Sequence, residues 1–139
     1  ATLTRELVDA SGVLSLNVPC VAQRDLVMAV GGMSGHKHPD KLTRCGVTVH
    51  LELNTGVPLV EGCTAQMACR VLPATDHVAG PHDLFLAEVV AAWADPRVFS
   101  EGRWHFEDAA AELRSLHYVA GGHFYVTGDA VTALPVANA

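Results

Sequence analysis

His82-Asp83-Leu84-Phe85-Leu86-Ala87-Glu88-Val89-Val90 opens a run that stays apolar on both faces as far as Trp93, with Glu88 the only charge in its interior. Such a strand is expected deep in a sheet or barrel, covered from both sides. Asp95-Pro96 ends it, since proline cannot donate to a ladder. Farther on, Gly121-Gly122-His123-Phe124-Tyr125-Val126-Thr127-Gly128 sets a glycine pair before an aromatic strand over 123–126, followed by a loose tail. Between the two, Phe106 to Leu116 has the alanine and glutamate content of a helix.

Toward the N-terminus the pattern is of short alternating strands. In Val13-Leu14-Ser15-Leu16-Asn17-Val18, period two puts Leu14, Leu16 and Val18 on one face and Ser15 and Asn17 on the other, and Pro19 ends the run. Gly46 to Leu53 alternates without a break, so Val47, Val49, Leu51 and Leu53 are expected to face a core, with Thr48, His50 and Glu52 outward or in a polar site. Asn54-Thr55-Gly56 turns the chain, Pro58 to Gly62 starts the next element, and Thr64 to Leu72 is the following strand; Ala74 to Pro81 reads as a loop. Helices are expected at 4–10, with Thr4 as N-cap and Gly12 as stop, and at 23–30; Gly31-Gly32-Met33-Ser34-Gly35 is expected to be irregular. Five strands and about three helices, with few crossovers, point to an antiparallel, mainly β barrel decorated by helices in a single domain over 1–139. Five strands close a barrel poorly, so its edges call for strands from elsewhere.

Composition narrows the function. A chain of 139 residues, 50 % of them apolar, can bury one core. A formal net charge of −6 leaves no basic surface to neutralise phosphates, which excludes nucleic acid as an expected partner. No apolar run approaches the roughly 20 residues needed to span a bilayer. The opening Ala1-Thr2-Leu3-Thr4-Arg5 lacks the order of a signal peptide, so a cytoplasmic location off the membrane is expected. Cys20, Cys45, Cys63 and Cys69 form no CxxC pair and no zinc spacing, and in 65–71 Cys69 shares a face with Ala65, Met67 and Val71 as a small apolar filler. His36-Lys37-His38 has the alternate spacing of a metal pair but only Asp40 nearby as a further ligand, so a solvated loop is the expectation there and no metal is assigned.

The order of several short elements resembles the flavin reductase-like family, its flavoredoxin-type branch in particular. The similar stretches are Thr4-Arg5-Glu6-Leu7, then Ser11 to Pro19, then Met33-Ser34-Gly35-His36 with Asp40-Lys41-Leu42, where His36 replaces the family's arginine. Val57 to Cys63 and Gly80 to Val89 continue the match. The resemblance implies an FMN-binding split β-barrel, antiparallel and Greek-key-like. It also implies a chain that begins inside the phosphate loop, an N-terminally truncated member.

What the resemblance further implies is an FMN-dependent NAD(P)H oxidoreductase, drawing on NADH or NADPH, built as a homodimer with flavin at the subunit interface. An FMN-binding electron carrier serving another protein, or a non-catalytic remnant of the fold, are the alternatives. His82 is the expected catalytic residue, orienting the flavin edge or the nicotinamide, or else a histidine satisfied at the strand entry. Thr4, Asn17, Ser34, Gly35, Lys41 and Gly122 are the expected cofactor-binding residues. Thr4 either merely caps its helix or, with the free N–H groups of that first turn, receives an anion. Gly121 and Gly122 either let backbone approach a ring closely or open the last strand as a bulge.

Overall fold

A computed structural model of the chain describes residues 2–73 and 84–134. Its centre is a three-stranded antiparallel sheet in the order β1-β4-β5, formed by β1 (Val13–Val18), β4 (Ala65–Val71) and β5 (Ala87–Ala94). Three hairpins surround it: β2 (Val49–Leu51) with β3 (Pro58–Val60), β6 (Phe99–Ser100) with β7 (Arg103–Trp104), and β8 (Leu116–Ala120) with β9 (His123–Val126). Every pairing among the described residues is antiparallel. Three α-helices, α1 (Leu3–Ser11), α2 (Arg24–Gly32) and the single-turn α3 (Lys41–Arg44), lie on the N-terminal side of the chain.

The core joins β3 to the central sheet. Val57, Leu59 and Ala68 are buried together, with Val13 and Ala91 packed against them. Along β1 neither face is wholly buried or wholly exposed: Leu14 and Val18 are partly buried, and so are Ser15 and Asn17. Leu16 is half exposed, whereas Ser15 Oγ donates to the Pro58 carbonyl at 2.6 Å and the Val60 N–H donates to Asn17 Oδ1 at 2.9 Å. The polar side chains of β1 turn inward because the backbone groups of β3 need partners there.

At the end of β2 the expected apolar face turns outward. Leu53 is 98 % exposed while Glu52 is 6 % exposed. The Glu52 carboxylate accepts from the Thr55 hydroxyl at 2.6 Å, from the Thr55 and Asn54 backbone N–H groups at 2.7 and 3.0 Å, and from Asn54 Nδ2 at 2.9 Å. Four donors closing on one carboxylate make the turn, and they draw Glu52 inward at the expense of its apolar neighbours.

Helix α1 begins one residue earlier than expected. Its N-cap is Thr2, whose hydroxyl accepts from the Arg5 N–H at 3.3 Å, so Thr4 lies inside the first turn. Gly12, at φ 68°, closes it in the left-handed conformation that glycine tolerates. Helix α2 runs on through Gly31 and Gly32, and irregular chain starts only at Met33. Lys41 stabilises that end, its ammonium donating to the carbonyls of Val30 and Met33 at 3.4 and 3.3 Å.

The C-terminal third departs most from expectation. The predicted helix over 106–116 is two short 3-10 turns, Phe106–Asp108 and Ala111–Leu113, followed directly by β8. Leu113 is buried, the Val21 N–H donates to the Arg114 carbonyl at 3.0 Å, and Cys20 bridges Ser115, so tertiary pairing holds 114–115 extended against its helix propensity. The β6–β7 hairpin, unexpected from sequence, turns at Glu101 and Gly102 with φ of 50° and 78°. β5 is not deep: it is the outer strand of its sheet, and Glu88, Val89, Val90, Ala92 and Trp93 are exposed.

Candidate functional site

The N-terminal helices enclose the largest of the described cavities, about 840 Å³, between the first turn of α1, the end of α2, the 33–40 loop and the start of α3. Thr4, Ser34, Gly35 and Lys41 all line it. Four residues expected from separate stretches of sequence therefore share one wall. Helix α1 contributes because the N–H groups of its first turn have no intrahelical acceptor beyond the Thr2 cap and the Thr2 carbonyl, to which Glu6 donates at 3.2 Å. Gly35 is held close to α1, where a Cβ at that position would stand 2.7 Å from Leu3 Cδ2.

The polar lining is rich in donors. Lys41 has spent two ammonium hydrogens on the α2 carbonyls, which leaves a third for the cavity. His36 approaches Glu6, Nε2 to Oε1, at 3.5 Å, and His38 joins the same lining. No group of three metal-ligating side chains forms among the described residues. Leu7, Val30 and Leu42 supply the apolar part. Thr2, His36 and His38 are lining residues not among the expected cofactor-binding residues; His36 stands where the resembled family has an arginine, and Thr2 was marked only by adjacency to Thr4.

The remaining expected residues lie elsewhere. Asn17 lines a neighbouring apolar cavity of about 340 Å³, which shares Val30, Gly31 and Leu42 with the first. Its amide is already engaged, accepting from Val60 and donating to Ser15 Oγ at 3.1 Å. Gly122 sits in the β8–β9 turn at φ 84°, facing Met28 of α2, and lines neither cavity. His82 lies outside the described residues. The strand it precedes is tied to α1, however, because the Arg5 guanidinium stacks over the Phe85 ring with 4.5 Å between its carbon and the ring centre.

One cavity is thus walled by a helix start, hydroxyls and an ammonium, beside small antiparallel sheets. The model of the flavin reductase like domain matches residues 1–127, and the chain belongs to that family. It is 42 % identical over 134 residues to the Escherichia coli K12 protein YddH, itself uncharacterised, covering 96 % of this chain and 69 % of YddH. The crystal structure of an FMN-binding domain of a flavin reductases-like enzyme from Shewanella baltica superposes with a TM-score of 0.89 at 44 % identity, over 95 % of this chain and 69 % of that one. A flavoredoxin from Methanosarcina acetivorans shares the fold with a TM-score of 0.71 at 19 % identity, over 96 % of this chain and 67 % of its own. No helix among the described residues is long and apolar enough to cross a membrane.

Proposed function

We propose that this protein is an FMN-dependent NAD(P)H oxidoreductase that holds the flavin phosphate in the cavity between α1 and the 33–40 loop. One observation carries the reading: Thr4, Ser34, Gly35 and Lys41 line a single cavity in a chain of the flavin reductase-like family. The donor set fits a phosphate, since first-turn N–H groups, two hydroxyls and one spare ammonium hydrogen each satisfy an anionic oxygen. A volume near 840 Å³ suits a ligand of nucleotide size. The chemistry FMN supplies when bound is acceptance of a hydride from a reduced nicotinamide.

The chain's own residues bind, orient and exclude. Thr4 and Ser34 anchor the phosphate, Lys41 offsets its charge, and Leu7 and Leu42 keep water from the apolar part of the ligand. His82 orients the flavin edge or the nicotinamide by a hydrogen bond, which needs no titration because hydride transfer moves no proton at the imidazole. Asn17 and Gly122 act one step away, Asn17 by bracing β1 against β3 and Gly122 by shaping the turn that meets α2. The working unit in this reading is a cytoplasmic homodimer whose electrons pass to a flavin or protein acceptor.

Anaerobic mixing of FMN-loaded protein with NADH or NADPH tests the reading. Bleaching of the flavin absorbance band within seconds is expected with one of the two nucleotides. Bound flavin that stays yellow with both, yet is reduced by a protein donor, reassigns the chain as an electron carrier.

A further inference from the structure

His36 reaches the first turn of α1 from the 33–40 loop. The His38 N–H donates to the Ser34 carbonyl at 2.9 Å, which folds 34–38 into a turn, and a Cβ on Gly35 would stand only 2.7 Å from Leu3 Cδ2. That close approach sets the next residue beside α1. His36 Nε2 lies 3.5 Å from Glu6 Oε1, and the two side chains keep 46 % and 52 % of their surface exposed, so both exchange protons with solvent. Glu6 belongs to the first turn of α1, and His36 lines the cavity together with Thr4, Ser34 and Lys41.

The pairing fixes what each ring nitrogen can do. A neutral imidazole carries one ring proton, and the carboxylate beside Nε2 holds it there, which leaves Nδ1 an acceptor. An acceptor repels a phosphate oxygen. The imidazolium donates from both nitrogens, so it keeps Glu6 on Nε2 and offers Nδ1–H to an anion. Charge points the same way, since a phosphate seated against α1 comes near the Glu6 carboxylate and a protonated His36 offsets that repulsion. The other charged side chains around the loop are committed or turned elsewhere. Arg5 pairs with Asp9 at 2.9 Å and Arg44 with Asp40 at 2.8 Å, Lys41 has two hydrogens on carbonyls of α2, and the exposed Lys37 does not line the cavity. His38 is the other imidazole in the lining.

We propose that His36 binds the flavin phosphate as an imidazolium held by Glu6, so that phosphate and one proton are taken up together. The inference rests on the phosphate seat proposed above. One proton passes from solvent to His36 Nδ1, and no other bond is made or broken. Glu6 is a positioning residue, which fixes the ring proton and touches no ligand. A proton bound together with the ligand lowers affinity by up to about tenfold per pH unit once the free imidazole is neutral. The ligand alone has the opposite sign, because a phosphomonoester gains its second charge near about pH 6 and binds a donor-rich seat more tightly as pH rises.

Titration of FMN into the protein from about pH 6.5 to 8.5, read by quenching of flavin fluorescence, tests the proposal. Riboflavin, which lacks the phosphate, is the control. For wild type, the Kd for FMN should rise several-fold and at most about tenfold per pH unit above pH 7, while that for riboflavin stays level. His36→Lys, a fixed cation, should keep FMN bound tightly across the range, and His36→Gln should bind it weakly with no rise. Glu6→Gln should move the rise to lower pH, because the imidazolium loses its carboxylate partner. His38→Gln should leave the wild-type profile in place. A wild-type Kd that is level or falls with pH overturns the proposal, and so does a rise that persists in His36→Gln or vanishes in His38→Gln. Tight FMN binding with any of those profiles leaves the phosphate seat standing. FMN that binds at no pH removes the seat and this proposal together.

Discussion

At the residue scale, Thr2 and Thr4 separate a structural role from a binding one. Thr2 caps α1, so Thr2→Val should lower stability by about 1 kcal/mol with FMN affinity nearly unchanged at saturating fold. Thr4 lines the cavity without capping, and Thr4→Val should weaken FMN binding by roughly 1.5–3 kcal/mol with little change in melting temperature. Calorimetric titration of the two variants reads both quantities, and equal FMN affinities would remove Thr4 from the site. His82→Ala should slow flavin reduction by NAD(P)H while flavin stays bound; an unchanged stopped-flow rate would leave it a strand-entry histidine. Glu52 gives a pH signature of its own. The Thr55 hydroxyl, then the Asn54 N–H, hold its carboxyl at about 2, well below the usual range. A depressed folded pKa stabilises the fold fully above the unfolded value near 4.5, and that stabilisation fades as pH falls toward 2. The melting-temperature gap between wild type and Glu52→Gln should therefore be constant above pH 5 and shrink below it; a gap independent of pH would contradict the hydrogen-bonded carboxylate.

At the element scale, the end of α2 shapes both cavities, since Val30, Gly31 and Leu42 line each. Lys41 holds that end from α3. Lys41→Met keeps the aliphatic stem and deletes the ammonium, which at a helix C-terminus is worth about 0.3–1 kcal/mol. Hydrogen exchange at the amides of Gly31, Gly32 and Met33 should speed up about two- to fivefold, and FMN affinity should fall as well. Unchanged exchange there would show that α2 ends without help from Lys41. The same element explains a misreading: three glycines in five positions looked irregular, yet the first two complete the helix. Glycine lowers helix propensity by roughly 1 kcal/mol, and the lysine cap together with packing of the 33–40 loop outweighs it.

At the scale of the whole molecule, the central sheet leaves a long apolar strand on its outer side, with Val89, Val90 and Trp93 exposed. The β8–β9 hairpin adds Tyr118, Val119 and Tyr125. Among the described residues no strand pairs with the outer edge of β5, and an apolar edge of this kind favours association, as the proposed homodimer requires. Val89→Glu should shift the protein from dimer to monomer in sedimentation equilibrium. A dimer that survives the charge would place its interface elsewhere than β5.

Sequence alone determined what depends on neighbours along the chain. Period two marked β1 and β4, the Gly121-Gly122 pair before aromatic residues marked β9, Gly12 closed α1, Asp95-Pro96 ended β5, and the succession of short motifs gave the family. Thr4, Ser34, Gly35 and Lys41 were legible as site residues from that order, although nothing local said that they would meet in one cavity. Tertiary structure alone decided which face turned inward. Alternation says that Ser15 and Asn17 share a side, but only the backbone of β3 gives their side chains partners, and only the four donors around Glu52 break, at 51–53, the alternation that 47–50 keep. The C-terminal helix failed for the same reason, since its propensity is weak beside the pairing of Arg114 and Ser115 with Val21 and Cys20. Exposure of β5 followed from strand order, which contacts distant in sequence set and periodicity cannot encode.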